Sequence, residues 1–213
     1  MPPEEYDAAA GVANRVKLYR QLANESDRGI VLSALALIEW HLKILVRHAI
    51  HEPPGNGKER DAFKQSFFGP SGYASSLSSA AKFCVATELI NDDTYIAIER
   101  LRKIRNLFAH SYDDATFDHE DVRKFLDKIP KDSGFGEDVR EGPSPTEAQL
   151  AFADVGETKD QVRDKLGEDG PQSITIHGCW DKLHFIFAAA AIEDAIMQKI
   201  LELTKKRRRV TMC

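Results

Sequence analysis

The chain has 213 residues, 42% of them hydrophobic and 30% charged, with a formal net charge of −5. Such a chain can bury a sizeable core, which excludes wholesale disorder. The mildly acidic balance excludes a general basic footprint of the kind that wraps duplex DNA.

The first residues, "MPPEEYD", are acidic and lack an apolar h-region, so they do not read as a signal peptide. Residues 7–23 place Val12, Val16, Leu18, Tyr19 and Leu22 at mixed helical spacing and predict a helix. "NESDRG" is rich in N-cap formers and opens a long helix over 27–50. Ile30, Val31, Leu35, Ile38, Leu42, Leu45 and Val46 make that helix apolar on most sides, as in a helix central to its bundle or at an interface. Glu39, Lys43 and Arg47 mark a solvent strip, with the Glu N-terminal to the Lys. Glu39, His41 and Lys43 interrupt the apolar run, which therefore reads as a buried helix and not a membrane span. "HEPPGNGKERD" (51–61) breaks the helix, and "FFGPSGYASS" (67–76) is a second turn region. Ser75 or Ser76 then caps a helix to about Leu89, "NDD" (91–93) caps one over 93–111, and Asp118 caps a short one over 118–128.

Residues 130–173 contain Pro130, Pro143, Pro145, Pro171, six glycines and more acids than bases. They predict a flexible surface insertion with a solvated acidic face and one short helix near 158–166. The last predicted helix, 178–206, carries Trp180, Leu183, Phe187, Ala191, Ala195, Ile196, Ile200 and Leu203. It runs into "KKRRR" (205–209), a basic end that suits the helix dipole and can also meet phosphates, RNA or an acidic partner. Only "SITIH" (173–177) alternates like a strand. The expected fold is all-α: one domain over 1–213, a bundle of four to five main helices with a Pro/Gly-rich acidic insertion.

Cys84, Cys179 and Cys213 lie far apart without ligand spacing, so they read as thiols in a reducing cytoplasm, and neither a metal nor a cofactor is expected. No acid or Cys at metal-ligand spacing accompanies His48 and His51 in the sequence, and "HEPPGNGK" lacks the Gly-x4-Gly-Lys-Ser/Thr pattern of a phosphate-binding loop. No helix-turn-helix precedes a basic recognition helix, so direct DNA reading is not expected.

One stretch carries chemistry. "RKIRNLFAHS" (102–111) sets Arg105, Asn106 and His110 beside a core stripe of Ile98, Leu101, Ile104 and Phe108. A His near its ordinary range can move protons at cellular pH, an Arg offers a planar fork to phosphate, and an Asn can orient a hydroxyl. Together they can cleave RNA without metal, the 2′-OH attacking the adjacent phosphate. The plainer alternative is that Asn106 and His110 cap the helix end while Arg105 pairs with an acid of a neighbouring helix, Asp27 first. Arg105 and His110 lie about 140° apart on one helix, so two copies of this helix would aim them at one phosphate better than one copy does.

The Arg105-Asn106-x-x-x-His110 pattern resembles the Arg-x4–6-His motif of HEPN domains, all-α modules that include RNA-cleaving toxins and inactive binding or dimerisation units. Over about residues 20–128, "ESDRGIVLSALALIEWHL" (25–42), "FFGPSGYASSLSSAAKFCVATELI" (67–90) and "IERLRKIRNLFAHS" (98–111) resemble the signature blocks of the mannitol operon repressor (MltR-type) family. Glu88 stands where that pattern has a small residue, and the chain departs from it after residue 128. The resemblance implies a helical regulator without a recognisable DNA-binding motif, and a polar pocket of Asp27, Arg28, Arg105, Asn106 and His110. The expected function is therefore regulation through protein contacts on an HEPN-like homodimer, with a regulatory protein as partner and no membrane. The alternative is a metal-independent endoribonuclease acting on RNA through Arg105, Asn106 and His110.

Overall fold

The computed structural model describes residues 22, 25–50, 56–110, 115–130, 147–151, 173–177 and 180–211. They form helices α1 (Asp27–Ala49), α2 (Gly57–Phe68), α3 (Leu77–Ala86), α4 (Asp92–His110) and α5 (Glu120–Leu126), strands β1 (Glu147–Ala151) and β2 (Ser173–His177), and helix α6 (Trp180–Thr211). The bundle is all-α. The central α1 packs on α3, α4 and α6, and α5 closes against α4 and α6.

Ser26 starts α1: its hydroxyl accepts from the Gly29 N–H, 3.1 Å away. Asp27 occupies the first turn, where its charge suits the helix dipole. Ile30, Val31, Ala34, Leu35, Ile38, Leu42, Leu45 and Val46 are buried, as the apolar pattern predicts. By length and composition alone α1 could cross a membrane, but half of its most apolar stretch is buried inside the bundle, as in a core helix. The Glu39–Lys43 pair forms at 2.7 Å.

Helix α2 is absent from the sequence reading, which treats its residues as parts of two breaks. It buries none of its residues, so no apolar stripe announces it. Its signal is local. Asn56 accepts from the Glu59 N–H, and Glu59 accepts from the Asn56 N–H, a reciprocal capping box. The turn after α2 needs glycine: a Cβ on Gly72 would strike the carbonyl of Phe67.

Helix α3 is capped by Ser76 and stops at Ala86, short of the expected Leu89. The Leu89 N–H reaches the Cys84 carbonyl and the Glu88 N–H reaches the Val85 carbonyl, which makes a Schellman motif. Glu88 takes the left-handed position of that motif, with φ of 57°. A small residue, glycine above all, relieves strain there, which gives the departure at Glu88 a structural meaning.

Cys84, on the inner face of α3, is fully buried, and burial pushes its thiol up to about 12. It stays protonated and shielded at neutral pH. Native protein treated with iodoacetamide at mildly alkaline pH should give Cys84 unlabelled on peptide mapping, and labelled once denaturant is added. Rapid labelling of Cys84 in the native state would contradict the packing of α3.

Helix α5 is shorter than expected and is capped by His119, whose ring nitrogen accepts from the Asp121 N–H, in place of Asp118. Strand β2 matches the alternating "SITIH", whereas β1 had no counterpart in the sequence reading. The two pair antiparallel, with Glu147 opposite His177 and Ala151 opposite Ser173. The helix expected over 7–23 lies outside the described residues apart from the buried Leu22. The short helix expected near 158–166, and most of 130–173, also lie outside them.

Candidate functional site

The start of α1 and the end of α4 meet, and the predicted polar residues divide there. The Arg28 guanidinium donates to the Ala109 carbonyl at 3.0 Å. That carbonyl belongs to the last turn of α4, which has no intrahelical donor to use, so a cation there satisfies the helix end and its dipole. Asp27 faces the other way. One carboxylate oxygen lies 3.2 Å from Lys182 Nζ on α6, and the other accepts from the Phe117 N–H at 3.2 Å.

These contacts correct the expected Asp27–Arg105 pair: the described partners of Asp27 are Lys182 and Phe117. Arg105 is half-buried, while Asn106 and His110 are exposed. Among the described residues none of these three side chains makes an ion pair or hydrogen bond with another. The structure therefore brings Arg28 to the end of α4 and turns Asp27 to α6 and the loop before α5, and among the described residues the five do not form one hydrogen-bonded pocket.

Sequence reasoning missed the residues that complete this end of the bundle. Phe117, in the loop before α5, is fully buried between Phe108 of α4 and Phe185 of α6, with ring centres 5.3 and 5.4 Å away. Asp181, in the first turn of α6 and buried, lies 3.0 Å from Arg123 Nε of α5. Four helices and one loop are thus tied at one end by Arg28–Ala109, Asp27–Lys182, Asp27–Phe117 and Asp181–Arg123. One signal was readable. Lys182 falls in the first turn of a helix, where the dipole disfavours a cation unless an acid holds it.

The outward residues of α4 are polar. Glu99 and Arg102 form a two-point pair, Nε to Oε1 at 3.0 Å and Nη2 to Oε2 at 2.8 Å. The Arg102 hydrogen bond, first, holds the Glu99 carboxyl below its ordinary range, helped by Ser78 and against some desolvation. Among the described residues no group of three or more His, Cys, Asp or Glu side chains is placed to hold a metal ion.

No family model matches the chain, and no curated protein matches it. Among solved structures it is similar to the X-ray structure of the MtlR-HPr complex from Escherichia coli, at 15% identity and a TM-score of 0.49, covering 92% of this chain and 98% of that one. A likeness this distant says nothing of what this chain binds.

Proposed function

We propose that the chain is a regulatory protein of MltR type that works through protein contacts as a homodimer, and that it is not a nuclease. One observation carries this reading. Asp27 and Arg28, the charged residues beside the α4 motif, are engaged in holding helices together, by Lys182, the Phe117 N–H and the Ala109 carbonyl. A general base needs a group that orients it, and His110 has no such partner among the described residues. Short Arg-and-His motifs serve catalytic and inactive helical modules alike, so the arrangement of neighbours weighs more than the motif.

The test is direct. Pure protein incubated with mixed RNA in EDTA should give no cleavage above that of the Arg105→Ala and His110→Ala variants. Cleavage by the native protein that both substitutions abolish would overturn this reading in favour of a metal-independent endoribonuclease acting through Arg105, Asn106 and His110.

A further inference from the structure

Helix α1 is apolar on two sides. Its inner side is the core. Its outer side runs Ser33, Ala36, Leu37, Trp40, Ile44 and Arg47, at spacings of three and four residues that align them along the helix. Ser33, Ala36, Trp40 and Arg47 are exposed, Leu37 and Ile44 half-buried, and Trp40 keeps 56% of its surface open. At one end this strip continues into α2. The Arg47 guanidinium sits 4.8 Å from the ring centre of Phe68, and Phe67 stacks with Phe63 at 5.0 Å and with Tyr73 at 5.6 Å. Tyr73 is 71% exposed, and α2 buries no residue at all. Two exposed aromatics, Trp40 and Tyr73, linked by the half-buried Phe63, Phe67 and Phe68, mark an association surface, since Trp and Tyr anchor interfaces.

We propose that this strip, with α2 and Tyr73, is the surface on which a second copy of the chain docks. The strip is self-complementary. In an antiparallel α1–α1 contact with the two-fold axis beside Trp40, Trp40 meets Trp40, Ala36 meets Ile44, Leu37 meets Lys43 and Ser33 meets Arg47 of the other copy. Ala36 and Ser33 then face the larger Ile44 and Arg47, so one patch can serve both copies, as an isologous interface requires. Lys43 brings no unpaired charge, because Glu39 already holds it at 2.7 Å, so its aliphatic stem is free to cover Leu37.

Area argues the same way. A stable dimer buries about 1,200–2,000 Å² in total, more than one helix strip supplies. The contact therefore also takes in α2 and Tyr73. The α2 end of one copy, next to Arg47, lies over Ser33 of the other, so each α2 brings Phe63 and Tyr73 against the first half of the opposite α1. The expected contact through α4 is the poorer one, since its exposed residues Asp92, Asn106 and His110 are charged or polar.

This inference rests on the homodimer in the proposed function and specifies its surface. Sedimentation equilibrium of the full chain across the micromolar range tests it, with Trp40→Glu and Ala36→Glu as strip variants and Asn106→Arg as the α4 control. Circular dichroism of each variant checks that the helices persist. Native protein and Asn106→Arg should be dimeric. Either strip variant should raise the dissociation constant by about a hundredfold or more, because the symmetry repeats each change twice. Strip variants that fold and dimerise as the native chain does would overturn the surface while leaving the homodimer standing. A native chain that is monomeric throughout would overturn both.

Discussion

His41→Leu should destabilise the protein by about 3–5 kcal/mol, far more than the loss of one imidazole suggests. His41 on α1 and Glu193 on α6 are both buried, with Nδ1 and Oε1 2.8 Å apart. That separation suits an ion pair, yet neither Glu193 oxygen has a hydrogen-bond partner of good geometry. Removing the imidazole leaves a carboxylate fully buried with nothing to offset its lost hydration. The opposite single change, Glu193→Met, leaves an imidazole that can be neutral and should cost less. The double variant His41→Leu/Glu193→Met should recover most of the loss and can exceed the native stability, because apolar replacements of buried pairs often do. Urea denaturation followed by circular dichroism gives all three values. A cost below about 1 kcal/mol for His41→Leu would show that Glu193 reaches water or another partner.

Phe117→Ala should cost about 3–5 kcal/mol, the range for removing a fully buried aromatic ring. The ring fills the space between Phe108 and Phe185, and its backbone N–H is the donor that Asp27 accepts. The loss would therefore also loosen the ties at the start of α1. Phe117→Leu should cost about 1–2 kcal/mol, since it keeps most of the volume. Thermal unfolding of the two variants side by side checks the order. Equal and small losses would mean that the loop before α5 is not packed as described.

What the sequence showed depended on how local the cause was. The long helices announced themselves because each carries a continuous apolar stripe, and Ser26, Ser76 and Asn91 sit within three residues of the N–H groups they accept from. Helix α2 escaped because its only signature is the Asn56–Glu59 capping box, without a stripe to confirm it. The polar end of the bundle was half legible. Asp27 and Arg28 stood out by resemblance, and of the two Arg28 reaches the end of α4. Their partners Lys182, Phe117 and Ala109 are distant in the chain, and no periodicity links them. His41 was visible as an interruption of an apolar run, and Glu193 falls among Ile192, Ile196 and Ile200, but nothing in either stretch names the other. Such pairings are decided by tertiary contact, which local patterns do not encode.

The packing of α1 against α6 also sets a clock. About 130 residues separate the end of α1 at Ala49 from the start of α6 at Trp180. At ordinary ribosomal speeds this is a delay of roughly 7–30 s, during which the nascent chain holds His41 and the α6-facing side of α1 without the helix that packs on it. Helix α6 is thus made well after the apolar face of α1 on which it packs. Folding must include a long-range docking step of α6 on α1, the kind that is slow because the intervening chain has to close first. A message truncated before α6 would yield a sticky helical fragment, a natural client for chaperones and proteases.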